Sequence, residues 1–255
     1  MAIRKTEAIV LRSRDFRETS LIVSFYTRDF GKINGLVKGI RTRNKKYTSY
    51  LQPFTYNEIV FYDKVHGGLC TVSQCDLKDF FPVIREDLQK TAYASYLLEL
   101  VNETSPEQDK NIDLFNLLLT SLRLFSFEDI KKITHIFEIR LLKLLGLMPV
   151  ITRCASCNGA IKEKTKFSPM LGGLLCAECF LKDNKAFEVL KGAAASMYHI
   201  SKVGYEQALR LKVSEGIEQN LNKILRMFLD FHLDKSLKSL EFIRKISEHM
   251  TYENL

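Results

Sequence analysis

The sequence feature that most constrains the fold is a pair of C-x-x-C motifs, Cys154 to Cys157 and Cys176 to Cys179, with 18 residues between them. Four thiolates reach one tetrahedral ion only if each pair turns back on itself, and two intervening residues allow that turn. The separation lies close to the range of about 15 to 20 residues that is typical of zinc sites. The sequence therefore predicts one structural zinc ion per chain, with Cys154, Cys157, Cys176 and Cys179 as its ligands.

Two other interpretations of these cysteines are open, namely small buried core residues or two redox motifs. A redox C-x-x-C motif usually opens a helix in a βαβ unit, whereas these pairs lie in a stretch that contains Gly, Pro and Lys. Four thiolate ligands would leave no coordination position for a substrate, so we expect the metal to stabilise the fold. Cys70 and Cys75 have no such pattern and are expected to be buried and unreactive.

The spacing of apolar residues changes near Pro82. Before it, short segments rich in β-branched and aromatic residues are separated by turn sequences, which is typical of strands. After it, apolar residues recur at helical spacing, as in the stripe from Ile133 to Leu145, and such spacing returns near Phe187 and is clearest from 217 to 246. We expect strands at 7–11, 21–26, 32–37, 57–62 and 69–73, and an irregular segment around the cysteine pairs.

These patterns predict an α+β protein with an N-terminal OB-fold barrel, followed by an all-helical domain into which a four-cysteine zinc module is inserted. Five short strands with a long polar connection between the third and the fourth suit a small closed barrel. The expected divisions are the barrel at 1–81, a first helical part at 82–153, the zinc module at 154–181 and a second helical part at 182–255.

Positive charge is concentrated in the barrel sequence. The whole chain carries +8, and residues 1–81 contain 14 Lys and Arg against 8 Asp and Glu, which is a net charge of +6. No acidic residue occurs from 30 to 57, where five cations fall within nine residues: Lys38, Arg41, Arg43, Lys45 and Lys46. A second cluster comprises Arg12, Arg14 and Arg17. This density favours a nucleic-acid partner, and the alternative is a solvated loop.

An enzyme needs a nucleophile with a base, paired acids or an open metal site. The five histidines lie singly and no P-loop sequence is present, so we expect no enzymatic activity. No stretch approaches the length of about 18 apolar residues that a membrane span needs, so we expect a soluble, cytoplasmic protein without a membrane partner. An RNA-binding or ribosome-associated protein and a protein-interaction adaptor remain open as alternatives.

Segments along the chain resemble the bacterial RecO family of recombination mediators. They are EAIVLR (7–12), RETSLIV (17–23), YTR (26–28), FGKI (30–33), KG (38–39), LQPF (51–54), FEIRLLKLLGLMP (137–149), GG (172–173) before Cys176 and Cys179, and KSLKSL (235–240). The likeness follows the order of the family over nearly the whole chain. It departs at Asn44 to Tyr47, where many members carry a small residue or serine.

The resemblance implies a DNA repair protein that binds single- and double-stranded DNA and anneals complementary strands. It implies a RecR-type partner, a site for the C-terminal tail of single-stranded-DNA-binding protein, and an indirect role in loading RecA at the nucleoid. By position, Arg28 and Lys32 match basic sites of the family. The expected DNA-binding residues are therefore Arg14, Arg28, Lys32, Lys38, Arg41, Arg43, Lys45 and Lys46. Arg140 also matches a family arginine, and we expect it to form an ion pair with Glu138 or another acid.

Overall fold

A computed structural model describes residues 2–40, 48–62, 68–162, 164–233 and 235–252. The chain packs as two compact units. The first contains Met1–Ile130 and Leu237–Leu255, and the second contains Lys131–Ser236. The sequence-based divisions at 81, 153 and 181 follow secondary structure rather than packing, and they stay a prediction.

The N-terminal part of the first unit is a closed five-stranded barrel. Its strands are β1 (Ile3–Phe16), β2 (Ser20–Thr27), β3 (Gly31–Val37), β4 (Tyr56–Tyr62) and β5 (Cys70–Asp79). They pair in the order β1-β2-β3-β5-β4, and all neighbours are antiparallel except β3 and β5. The predicted OB-type barrel and its five strands are confirmed.

Alternation along the strands separates the core from the outer face. In β3, Ile33, Gly35 and Val37 are buried, and the residues that alternate with them, Lys32, Asn34 and Leu36, are half-buried. The barrel interior is filled by a cluster of buried apolar residues, among them Val10, Val23, Phe25, Ile59 and Phe61. The residues of β3 that alternate with this core therefore lie on the outer face of the barrel.

Every strand of the barrel is longer than the sequence predicts, and the extension is largest in β1 and β5. Beyond an irregularity between Val10 and Arg12, β1 continues to Phe16 and pairs with β2, whereas its pairing with β4 ends at Ile9. The extension is rich in charged residues, which have low strand propensity. Pairing with β2 supplies the hydrogen bonds, so the extended hairpin forms despite its composition.

The helices are α1 (Pro82–Arg85), α2 (Leu88–Thr104), α3 (Ile112–Leu124), α4 (Ile130–Leu144), α5 (Lys191–Lys202), α6 (Tyr205–Leu209), α7 (Glu215–Leu233) and α8 (Lys238–Tyr252). In the first unit, Asp87 and Asn111 cap α2 and α3 by accepting hydrogen bonds from backbone N–H groups three residues on. The α2–α3 connection, residues 105–111, runs beside β3, where the N–H of Gln108 donates to the carbonyl of Lys32 at 2.9 Å.

In the second unit, α4 presents the predicted apolar stripe, with Ile133, Ile136 and Phe137 fully buried. A small antiparallel sheet follows, which consists of β6 (Lys166–Ser168), β7 (Gly173–Leu175) and β8 (Phe187–Glu188). These strands pair in the order β7-β6-β8. The expectation of an irregular zinc segment is therefore wrong in part. Strands of two or three residues carry no detectable periodicity, so backbone pairing alone defines them.

The helical pattern near the C-terminus belongs to two helices rather than one. α7 ends at Leu233 and α8 begins at Lys238, and the two helices fall in different packing units. The Glu99 carboxylate accepts hydrogen bonds from the backbone N–H groups of Lys238 and Ser239, at 3.1 and 2.8 Å, and so caps α8 within the first unit. Among the described residues, no helix is long and apolar enough to cross a membrane.

Candidate metal centre and nucleic-acid interface

The four predicted cysteines come together in the second unit. Their sulfur atoms all lie within 4.8 Å of one another, and the Sγ atoms of Cys157 and Cys176 are 3.7 Å apart. A tetrahedral zinc ion with Zn–S bonds of about 2.3 Å has sulfur–sulfur edges of about 3.8 Å. The four thiols therefore fit one tetrahedral metal ion.

The local backbone explains how the two pairs meet. The N–H of Asn158 donates to the carbonyl of Cys154, and the N–H of Cys179 donates to that of Cys176, each at 2.9 Å, so each pair closes a tight turn. The N–H of Ala155 donates to the carbonyl of Leu174 at 2.7 Å and holds the first pair beside β7. A Cβ on Gly173 would lie 2.3 Å from the carbonyl oxygen of Val150, so this approach requires glycine.

The thiols influence one another's ionisation. Burial raises the pKa of Cys154, but backbone N–H groups of Cys176, Cys157 and Ser156 donate to its sulfur, and its pKa falls to about 6. Burial and the neighbouring thiols raise the pKa of Cys176 to about 12. One thiolate therefore forms readily, whereas several thiolates this close need a cation between them, and a coordinated thiol is deprotonated outright.

Cys70 is buried in the barrel core, as predicted, whereas Cys75 is only partly buried and packs against that core. Burial raises the pKa of Cys75 to about 12. A thiol with so high a pKa is almost entirely protonated near neutral pH, so it is a poor nucleophile.

The first unit contains a groove on the outer face of the barrel, with a cavity volume of about 260 Å³. β1, β2 and β3 form its floor, and α2 with the α2–α3 connection forms one wall. We call it the outer groove, and it is lined by Arg12, Arg14, Ile22, Ser24, Lys32, Asn34, Asn102 and Glu107. Strand register places the floor residues together, since Arg12 pairs with Ser24 and Ser24 with Asn34.

Side chains that line the outer groove differ in what they contact. Lys32 Nζ donates to the carbonyl oxygen of Asn102 at 2.6 Å, near the C-terminus of α2. Ser24 Oγ donates to Asn34 Oδ1 at 2.9 Å, and Asn34 Nδ2 donates to Glu107 Oε1.

Arg12 and Arg14 also line the outer groove, and both are exposed. Within the part of the chain that the structure describes, no carboxylate lies within ion-pair distance of either guanidinium. The groove therefore presents two cations that form no ion pair with a carboxylate of the described residues.

The remaining predicted DNA-binding residues are distributed differently. Arg28 is exposed, and its Nη1 lies 2.8 Å from Glu7 Oε2. Lys38 is exposed just after β3. The other four lie outside the described residues: Arg41, Arg43, Lys45 and Lys46. The structure thus brings Arg14 and Lys32 to one groove and gives Arg28 an acidic partner.

Sequence reasoning did not select Ser24, Asn34 or Glu107 as site residues. Alternation along β2 and β3 could have placed the first two on the outer face, but only with a known register. Glu107 lies in the α2–α3 connection, 73 residues from Asn34, and no local pattern links them.

Glu7 organises a charged cluster on the barrel. Tyr56 donates a hydrogen bond to its carboxylate, Arg28 and Lys78 form ion pairs with it, and these contacts lower the pKa of Glu7 to about 2 although burial opposes the shift. The cluster ties together β1, β4 and β5. Arg28 therefore has a structural partner before any ligand binds.

The expected ion pair between Arg140 and Glu138 is not formed. Residues two apart on a helix point in different directions, so these two side chains do not face each other. Arg140 Nη2 instead donates to the carbonyl of Val203 at 2.6 Å, and its guanidinium lies 5.1 Å from the ring centroid of Tyr205. Arg140 therefore has a structural role, with neutral partners.

The outer face of the OB-type barrel carries two arginines that form no ion pair among the described residues, and the same chain contains a cluster of four cysteines. Together these features define a class of protein: an OB-fold protein with a separate four-cysteine module. Comparison with known proteins specifies the family. The chain matches the model "Recombination protein O N terminal" over residues 1–81 and the model "Recombination protein O C terminal" over residues 85–241. The chain belongs to the RecO family.

Individual relatives agree with this assignment. A protein of Pelotomaculum thermopropionicum named DNA repair protein RecO is 34% identical over 97% of this chain and 96% of its own length. A protein of Alkaliphilus metalliredigens with the same name is 35% identical over 95% of this chain and 99% of its own length. The family and these names support a role in recombinational DNA repair.

Proposed function

We propose that this chain is a non-enzymatic recombination mediator that binds DNA through its barrel and anneals complementary strands. The observation that carries the proposal is the pair of exposed guanidinium groups, Arg12 and Arg14, on the outer face of an OB-type barrel. OB-folds bind oligonucleotides on this kind of surface, and cations that neutralise phosphates supply much of the affinity.

Annealing requires that two phosphate backbones approach each other. A barrel with a net charge of +6 lowers the repulsion between strands by screening both, and this needs no nucleotide hydrolysis. The four-cysteine module, in our proposal, holds one structural zinc ion through Cys154, Cys157, Cys176 and Cys179. The ion would supply folding energy to the second unit, and with four thiolate ligands it would leave no position for a substrate.

The proposed partners follow from family membership. We propose that the chain acts with a RecR-type protein to load RecA onto single-stranded DNA coated by single-stranded-DNA-binding protein, in the cytoplasm at the nucleoid. We also propose that the helical part binds the acidic C-terminal tail of the coating protein. An apolar groove rimmed by cations would suit such a tail. Calorimetry with the tail peptide that shows no binding at millimolar concentration would refute this last proposal.

The main test is an annealing assay combined with a salt series. We expect the protein to accelerate the pairing of complementary strands over the protein-free rate, without nucleotide. We expect the logarithm of its affinity for single-stranded DNA to fall linearly with the logarithm of salt concentration. No acceleration at any salt concentration would remove annealing from the function. Much tighter binding to RNA than to either form of DNA would favour the RNA-binding alternative.

A second test concerns the basic segment from Lys38 to Lys46, which we propose contributes phosphate contacts. Replacing Lys38, Arg41 and Arg43 together with alanine should lower the salt slope for single-stranded DNA by about 0.7 for each lost contact. The weakening should be similar across sequences, because phosphate contacts carry no base information. If the folded triple variant keeps the wild-type affinity and slope, this segment contributes no phosphate contacts.

A further inference from the structure

Some cations of the barrel already pair with another group of the protein, whereas others do not. Only the latter are available to bind a ligand. Arg28 is paired with Glu7. Lys32 donates to a carbonyl at the end of α2, where the helix dipole favours a positive charge. Arg12 and Arg14 line the outer groove, and among the described residues no hydrogen bond or ion pair holds their guanidinium groups.

Strand geometry sets the spacing of these two groups. Arg12 and Arg14 are two positions apart on β1, so they point to the same face of the sheet and their Cα atoms are about 6.7 Å apart. Beside them, β2 and β3 contribute hydroxyl and amide groups from Ser24 and Asn34. Guanidinium groups bind phosphate oxygens in bidentate geometry.

We propose that Arg12 and Arg14 bind successive phosphates of one nucleic-acid strand that crosses β1, β2 and β3 in the outer groove, and that Glu107 opposes this binding. The inference rests on the proposed function, because it assigns the phosphate contacts of the same barrel. It separates Arg12 and Arg14 from Arg28, which has the same charge and lies on the same barrel but has an acidic partner.

Glu107 gives the groove an anionic wall. Its carboxylate accepts a hydrogen bond from Asn34 Nδ2, and Asn34 Oδ1 accepts one from Ser24, so a chain of hydrogen bonds fixes a negative charge in the groove that the two arginines also line. A phosphate in the groove is repelled by this charge. The residue therefore weakens the contact and makes it easier to reverse, which suits a protein that must release the strands it anneals.

A phosphate ligand fits the groove better than an acidic peptide. The cavity, about 260 Å³, lies below the range of about 300 to 1,000 Å³ of small-molecule pockets. It therefore suits a local contact with a longer chain. A nucleic-acid strand spaces its single charges along the backbone, whereas clustered carboxylates of an acidic peptide would meet the Glu107 carboxylate at close range.

The experiment measures single-stranded DNA binding by the full-length protein over a range of salt concentrations. The double variant Arg12→Gln with Arg14→Gln should lower the salt slope by about 1.4, because each lost phosphate contact lowers it by about 0.7. Lys5→Gln removes one charge from the same barrel at a site where Lys5 Nζ lies 2.7 Å from Glu58 Oε1, and it should leave the slope unchanged. The double variant Arg12→Lys with Arg14→Lys keeps both charges and should keep the slope.

Glu107 is tested by two changes. Glu107→Gln removes the charge and retains an oxygen that accepts from Asn34, so binding should become about two- to fivefold tighter at low salt, which corresponds to an exposed charge interaction. Glu107→Asp keeps the charge and should bind as the wild type does. Circular dichroism of all variants checks that they are folded.

The outcomes separate this inference from the proposed function. If the wild type binds DNA and the double Gln variant keeps its slope, or if Lys5→Gln lowers the slope by as much for each charge removed, the strand does not use the outer groove. If polyglutamate competes for the groove more strongly than single-stranded DNA does, the groove is a protein-binding site. Each of these results overturns the inference. If the wild type binds no DNA at any salt concentration, the proposed function itself fails.

Discussion

Replacing Gly31 with alanine tests how the α2–α3 connection lies against the barrel. Gly31 begins β3 with a φ of +63°, and a Cβ built on it would lie 2.0 Å from the carbonyl oxygen of Asp109. That atom belongs to the backbone of the connection, which also pairs with Lys32 through Gln108. The added methyl group therefore cannot be accommodated by rotation of a side chain.

The expected cost has two parts. A left-handed conformation costs a residue other than glycine about 1 to 2 kcal/mol. Overpacking against a backbone that must shift adds about 1 to 3 kcal/mol. Gly31→Ala should therefore lower the free energy of unfolding by about 2 to 5 kcal/mol.

Gly68 provides a matched control in the same unit. Its φ is +89°, but a Cβ there would meet nothing within 4 Å among the described residues. Gly68→Ala should therefore cost only the conformational part, about 1 to 2 kcal/mol. The difference between the two variants measures the contact with Asp109.

Urea denaturation followed by hydrogen exchange of barrel amides gives the measurement, because the exchange reports the first unit separately. We expect faster exchange in β3 of Gly31→Ala than in β3 of Gly68→Ala. If Gly31→Ala is as stable as Gly68→Ala, the connection does not press on Gly31, and the wall of the outer groove is not where we place it.

Three further predictions follow from other parts of the structure. Elemental analysis should find about one zinc per chain, and metal-free wild-type protein would contradict this prediction. Cys154→Ser should lose the metal and unfold more easily, whereas the control Cys75→Ser should retain the metal. Glu99→Ala should remove the cap of α8 and cost about 1 kcal/mol, seen as faster hydrogen exchange confined to α8. The pKa of Glu7 is lowered from 4.5 to about 2, so its contribution to stability is present above pH 4.5 and is lost as the pH falls from 4.5 toward 2. The stability difference between the wild type and Glu7→Gln should therefore shrink over that interval, and a constant difference would contradict the role of Glu7.

The sequence by itself determined the features that depend on neighbouring residues. The spacing of Cys154, Cys157, Cys176 and Cys179 was enough to predict that they converge, because each pair needs only one local turn. The five strands and the change to helices after Pro82 were also predictable, since apolar residues recur every 2 residues in a half-buried strand and about every 3.6 residues in a helix. The resemblance to the RecO family was visible in short segments for the same reason.

Only the tertiary structure shows which cations of the described residues form ion pairs and which do not. Arg12, Arg14 and Arg28 look alike in the sequence, and only strand pairing places Glu7 beside Arg28 and leaves the other two facing a groove. Likewise, Glu107 reaches Asn34 across 73 residues, and α8 packs in the unit of the barrel although α7 does not. These contacts depend on register and on long-range packing, which local periodicity does not encode, because one pattern of apolar residues is compatible with several partners.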